Sequence, residues 1–395
     1  MALLSPAAER RAASLIYAAS FSYTISLGSM QVLVPLYGLY LGYDIKALGL
    51  ILSAQAVLPI FTRFFGGAIA DRFGARYVLL FSFGTMFAAG MVLSLSGLFW
   101  ALIAAQTLQG MSRSTYWAVT QAYATRINPE LAATRLGRLS SSGNGGNIIG
   151  TALSGFLAFG PGYGVAFGSV AAFAFVGLLG SIALPNLPRP NTKRGFKAAL
   201  SPIPSVASSR SMGMAGISAF VGSTSAMLGI ILIIPFMKEA AFNESEIGLA
   251  RTVTAVGGLT AGLLFGRLVA RLGLMRLHSA AFGLQGVTFL FVPLLAAHFA
   301  SGLPLMYIYG FFAGMMGSLY PMTASMFSRP EHRGTAMAYA GQFWGLAQLL
   351  VPAAFGFIAA AAGLSASLYM SGVLFIGLAF VVPVVYPVIT KHGIK

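Results

Sequence analysis

What most constrains this chain is a pattern repeated along its whole length: apolar runs of about 20 residues, long enough as helix to cross roughly 30 Å of hydrocarbon. They fall near residues 14–40, 47–70, 77–97, 99–123, 139–160, 163–185, 211–235, 247–269, 277–299, 303–327, 335–360 and 366–389. Only 8% of the residues are charged, where soluble domains carry about a quarter. Eight carboxylates and 24 Lys and Arg cannot coat a soluble protein of 395 residues, so the solvent is lipid. Within lipid a helix satisfies its own backbone groups. The expected fold is therefore all-α: twelve transmembrane helices. The first run follows Glu9, Arg10 and Arg11 and is too long and too polar in its middle for a cleaved signal, so it reads as a retained span.

Positive residues accumulate on the cytoplasmic side of short loops. With the N-terminus inside, the inside segments hold nineteen Lys and Arg, and the outside ones hold Lys46, Lys238 and, at a helix start, Arg251. This distribution places both termini in the cytoplasm and the chain in a cell inner (plasma) membrane. It also accounts for the net charge of +16 without nucleic acid. Two arginines, Arg63 and Arg113, fall inside spans. There is no cysteine, and His278, His298, His332 and His392 have no metal-ligand spacing. Neither a thiolate site nor a metal is expected, and no cofactor. G-x-S-x-G, P-loop and H-E-x-x-H patterns are all missing, so the chain does not read as an enzyme.

The segment 186–210, rich in Pro, Ser and positive charge, divides six spans from six. The organisation expected is an N-terminal half over 1–188, a cytoplasmic linker over 189–210 and a C-terminal half over 211–395. The halves echo each other. Gly67-x-x-x-Asp71-Arg72-x-Gly74 after span 2 parallels Gly266-x-x-x-Ala270-Arg271-x-Gly273 after span 8, at an offset of 199 residues. A second echo sets Pro129-Glu130 with Arg135 and Gly137 beside Pro330-Glu331 with Arg333 and Gly334. Two parallel six-span repeats are a transporter architecture with a cavity between them.

The stretch Gly67-x-x-x-Asp71-Arg72-x-Gly74-x-Arg76 resembles, at every fixed position, the signature of the major facilitator superfamily. With span count, orientation, linker and half-repeat, the resemblance covers essentially the whole chain, in two pseudo-symmetric six-helix halves. It implies a gating cluster of Gly67, Asp71, Arg72, Gly74 and Arg76, an acid among bases that clamps the halves in one state. Ala270 replaces that acid in the second half. Two further motifs are degenerate. Gln106-Thr-Leu-Gln109-Gly110 lacks the arginine of the fourth-span drug-exporter pattern, with Arg113 seven residues on. Gly146-Asn-Ile-Ile-Gly150-Thr151-Ala-Leu-Ser154-Gly155 is similar to the fifth-span antiporter pattern, with Thr151 in place of its proline; its small residues suit close helix packing.

The same resemblance implies that spans 1, 4, 7 and 10 line the cavity. Tyr17, Thr24 and Gln31 recur at seven-residue spacing on span 1, and Gln106, Arg113 and Thr120 do so on span 4. Tyr116 lies beside Arg113; span 7 offers Ser218 and Ser225, and span 10 offers Tyr309, Met316, Tyr320 and Thr323. An arginine within a span costs several kcal/mol unless it faces a partner or a cavity, which makes Arg113 the leading substrate contact and Arg63 a second. Nitrate transport would ask for an eighth-span counterpart to Arg63, and the repeat puts Gly262 there. All eight carboxylates fall in loops or at span ends, so the interior is positive. The expected function is secondary active transport of a small organic molecule by alternating access. The substrate is anionic, zwitterionic or amphipathic, and the direction exporter-like, as in drug or metabolite efflux. An organic-anion importer or exchanger is the alternative, and a lipid-moving flippase the next. A coupling proton or counter-anion, the bilayer and a monomeric state complete the expected partners.

Overall fold

The computed structural model describes residues 5–62, 74–185, 210–296, 298–328 and 333–390. The described residues form twelve helices and no strand. In chain order they are α1 (Pro6–Tyr40), α2 (Ile45–Thr62), α3 (Ala75–Leu95), α4 (Phe99–Ile127), α5 (Ala132–Phe159) and α6 (Tyr163–Ile182). Helix α7 runs through Arg210–Leu228, a wide π turn at Gly229–Ile233 and Ile234–Glu239. It is followed by α8 (Glu244–Leu272), α9 (Leu274–Leu295), α10 (Phe299–Met326), α11 (Arg333–Ala362) and α12 (Leu364–Thr390). Each of the twelve apolar runs is answered by one helix. Eight of these helices are long and apolar enough to cross a membrane. Four fall outside that group: α2, whose described apolar stretch Ile45–Phe61 is shorter, and α1, α4 and α5, because hydroxyl and amide side chains dilute their apolar sequence. Pro235, just past the π turn, cannot supply an N–H to a regular ladder, which is the physical reason α7 widens there.

The internal repeat extends to single hydrogen bonds. At the end of α1, Tyr43 N–H donates to Gly38 O and Gly42 N–H to Leu39 O; at the end of α7, Phe242 N–H donates to Met237 O and Ala241 N–H to Lys238 O. Each is a Schellman-type stop, and every pair is offset by 199 residues. The next helix then starts on an Asx cap in both halves: Asp44 accepts from Ala47 N–H at 2.8 Å and Asn243 from Glu246 N–H at 2.9 Å. Gly74 (φ +92°) and Gly273 (φ +74°) open α3 and α9 in the same left-handed geometry.

The chain forms two compact units. The first comprises Met1–Val34 and Val57–Leu200. In it α3 packs on α4 and α6, and α1 is stitched to its neighbours by hydroxyls donating to backbone carbonyls. Ser26 bonds Val170 O at 2.9 Å, Ser29 bonds Gly150 O at 2.9 Å, and Ser142 returns to Tyr17 O at 2.7 Å. Buried Arg135 pairs with Glu9, tying the start of α5 to the start of α1.

The second unit comprises Pro35–Ala56 and Ser201–Lys395. Here α9 packs on α12 and α10, repeating the α3 contacts, while α7 packs on α11 and α8 on α10. The α1–α2 hairpin joins this unit by resting on α11. A Cβ on Gly49 would stand 2.4 Å from Pro352 O, and one on Gly356 would stand 2.7 Å from Ile45 O, so the two helices meet backbone to backbone. Pro352 interrupts the α11 ladder, and the adjacent Ala353 N–H donates to Ser53 Oγ at 3.1 Å. The linker positions 186–209 lie outside the described residues.

Candidate substrate cavity

The first unit encloses a cavity of about 480 Å³ between α1, α4 and α5, the three helices of the unit whose polar residues dilute their hydropathy. Thr24, Leu27 and Gln31 face it from α1, Arg113, Trp117 and Gln121 from α4, and Leu136, Leu139, Ser140, Gly143, Asn144 and Asn147 from α5. Close approach of α5 to α1 sets its depth. A Cβ on Gly146 would meet Phe21 O and Thr24 Oγ1 at 2.3 Å, and one on Gly150 would meet Ile25 O at 2.3 Å. Glycine at those two positions lets the α5 backbone lie against α1. Gly146 and Gly150 of the fifth-span motif thus let α5 pack on α1, while Asn147 between them and Asn144 just before them turn toward the cavity.

Among the described residues the lining carries one formal charge, the Arg113 guanidinium, and no carboxylate. Around it stand two glutamines, two asparagines, two hydroxyls and an indole. These are donors for an anionic or carbonyl oxygen and a flat face for an apolar or cationic group. The volume lies within the usual range for small-molecule sites, about 300–1,000 Å³. Behind Arg113 the wall is aromatic and closely packed. Tyr23 stacks on Tyr116 with ring centroids 3.6 Å apart, and Phe83 meets both rings edge-on. Thr115 and Ser82 hydroxyls bond at 2.6 Å, and Ser112 donates to Ser82 O at 2.6 Å.

Of the substrate contacts expected from sequence, Arg113, Thr24 and Gln31 come together in this cavity. Gln106 and Tyr17 do not line it. Gln106 is buried with its Oε1 unpaired among the described residues, about 10 Å along α4 from Arg113 at helical rise. Thr120, on the same stripe as Arg113, is buried and bonds back to Tyr116 O at 2.6 Å. Seven-residue spacing keeps side chains on one face but does not say how far along the helix a cavity reaches. Tyr116 belongs to the aromatic wall. Tyr320 sits in the second unit against Trp344, with centroids 5.3 Å apart. Arg63, Gly67, Asp71 and Arg72 lie outside the described residues, whereas Gly74 and Arg76 begin α3. Sequence inspection missed Asn144, Asn147 and Gln121. The available signal was three carboxamides in or at the end of apolar spans.

In the second unit Ser218 on α7 and Tyr309 and Thr323 on α10 are spent on helix contacts. Ser218 Oγ and His278 Nε2 are 2.6 Å apart, Thr323 Oγ1 is 3.4 Å from the same nitrogen, and Tyr309 donates to Ser225 O at 2.6 Å. Arg251, counted from sequence at a helix start, is the eighth residue of α8 and is buried, 9% exposed.

Twelve helices in a repeated six-and-six order, eight of them long and apolar enough to cross a bilayer, are the architecture of a multi-pass membrane protein. The chain belongs to the Major Facilitator Superfamily, whose family model matches residues 16–229 and again 214–393. A relative by sequence is the quinolone resistance protein NorA of Staphylococcus aureus (strain N315), 24% identical over 183 residues, which are 46% of this chain and 47% of NorA. The chain thus spans about half the length of the curated relatives it matches. Among solved structures, the nucleoside transporter NupG is similar with a TM-score of 0.78, 14% identity and coverage of 95% of this chain and 98% of that one. A POT family transporter in complex with a thioalcohol-conjugated peptide gives 0.80 at 14% identity, covering 96% and 97%. A bacterial homologue of the human lysosomal transporter Spinster, inward-facing and unoccupied, gives 0.74 at 14%, covering 99% and 98%. These structural likenesses establish the fold.

Proposed function

We propose that this chain is a secondary active transporter that binds a small organic anion, or a zwitterion or amphipath with an anionic group, in the cavity beside Arg113 and exports it by alternating access. The observation that carries this is the cavity's lining, among the described residues one guanidinium and no carboxylate in a space of small-molecule size. At low dielectric a fixed positive charge attracts an anionic group and repels a cation far more strongly than in water. Gln31, Gln121, Asn144 and Asn147 supply hydrogen bonds that set orientation, and Trp117 supplies a face for the rest of the molecule. Efflux as the direction rests on the likeness to NorA and on the fifth-span motif. The halves 1–188 and 211–395, joined by 189–210, would be the moving bodies. Gly67, Asp71, Arg72, Gly74 and Arg76 would be their gating cluster. Cytoplasmic termini in an inner membrane fit the distribution of positive charge, and the chain would act as a monomer.

The test compares Arg113→Gln and Arg113→Lys in purified protein against a panel of anionic, zwitterionic and cationic amphipaths, with binding followed by Trp117 fluorescence. Wild type should favour the anionic members. Arg113→Gln should lose that preference by tenfold or more with little change in melting temperature, and Arg113→Lys should keep part of it, since charge survives without the bidentate fork. An Arg113→Gln protein that melts early yet keeps the wild-type ligand preference would leave Arg113 a structural residue and overturn the assignment.

A further inference from the structure

We infer that the second unit holds a small monovalent anion, of the halide class, at Arg251. This site is distinct from the cavity of the first unit and independent of the substrate assigned to it. Arg251 is the eighth residue of α8 and is buried. Its Nε and Nη1 are shut off from solvent and have no hydrogen-bond partner among the described residues. Its near neighbour is the Tyr309 hydroxyl on α10, within hydrogen-bonding reach of the guanidinium. That phenol already donates its proton to Ser225 O on α7 at 2.6 Å, and a neutral phenol cannot balance a cation.

The described carboxylates of the unit are engaged elsewhere or lie at helix ends. Asp44 caps α2, Glu244 pairs with Lys238 at 2.7 Å, Glu246 closes the capping box on Asn243 N–H at 2.9 Å, and Glu239 ends α7. None of them forms an ion pair with Arg251. A buried guanidinium without a counter-charge costs several kcal/mol, so this one calls for an anion from outside the chain.

Further buried polar groups lie on the helices that touch Tyr309. Ser225 Oγ is buried on α7 beside that phenol, and Gln285 on α9 is fully buried with both amide atoms unpartnered among the described residues. Gln285 lies one turn from Phe289, whose ring meets that of Tyr309 at 5.6 Å. One positive charge with N–H and O–H donors in a dry site matches a single negative charge on a compact ion. A divalent oxyanion would leave an excess charge buried. A bound anion would also link α8 to α7 and α10, so its loading should register as stability of the second unit.

The experiment titrates sodium chloride and, separately, sodium bromide against sodium gluconate at constant ionic strength, reading the melting temperature of the purified full chain. Wild type and Arg113→Gln should show a saturable rise of a few degrees with either halide. Arg251→Gln should show none, and Arg251→Lys a weakened one. Crystals of the wild type grown in bromide should give an anomalous peak within hydrogen-bonding distance of the Arg251 side chain, a readout that needs no variant to fold. Equal melting in halide and gluconate, a halide response that survives Arg251→Gln, a response lost in Arg113→Gln instead, or bromide crystals with no peak at Arg251 would each overturn the assignment.

Discussion

At the scale of single residues, two kinds of position stand out: buried cations that need company and backbone conformations that need glycine. Arg135 has its acid in Glu9, and Arg251 has, among the described residues, a phenol beside it, while half-buried Arg113 faces the cavity. The second kind is clearest where the repeat is imperfect. The turn after α1 places Gly42 at φ +80°, and its equivalent after α7 places Ala241 at φ +64° with the same two hydrogen bonds. A side chain in the left-handed region costs about 1–2 kcal/mol, offset in part by the greater freedom glycine has in the unfolded chain. Ala241→Gly should therefore stabilise the protein by about 0.5–1 kcal/mol, and Gly42→Ala should destabilise it by at least as much. Thermal unfolding of the two single variants in one detergent checks both signs.

Among the elements, the helix pairs that touch backbone to backbone are the least tolerant of added volume. Helices α8 and α10 meet along Thr254, Gly257 and Gly258 facing Tyr307, Gly310 and Gly314. A Cβ on Gly310 would stand 2.0 Å from Thr254 O. Because the obstacle is backbone, relief requires the helices to part, and Gly310→Ala should cost about 1–3 kcal/mol. Gly262, also within α8, has nothing within 4 Å of an added Cβ. Gly262→Ala should be neutral or stabilising by up to about 1 kcal/mol through helix propensity. Equal effects on melting temperature from the two variants would mean that the α8–α10 contact is looser than its geometry implies. The glycines of both helices were visible in the sequence, but which of them meet a neighbour depends on how the helices pair.

For the whole molecule, the distribution of positive charge predicts that residue 195, in the linker, faces the cytoplasm. The chain has no cysteine of its own, so a single cysteine placed at 195 should resist a membrane-impermeant maleimide in intact cells and react after the cells are opened. Labelling in intact cells would contradict the inside location of the linker. The sequence by itself determined the solvent, the number of helices, their order and the repeat. These follow from local properties: an apolar run of about 20 residues must cross the bilayer as helix, and caps such as Asp44 and Asn243 act on the next turn of their own chain. Arg113 was legible for the same reason, since a charge in an apolar run is conspicuous without any neighbour. The tertiary structure alone decided which polar residues share a space. Gln106 and Asn144 look alike in an apolar span, yet one is buried away from the cavity and the other lines it, because the glycine contacts at 146 and 150 set how α5 leans on α1. The burial of Arg251 was not legible for the converse reason. Eight residues into a helix is close to a loop along the chain, but α10 packs along α8 and brings Tyr309 to the guanidinium, and burial of that kind is a property of the bundle and not of the helix.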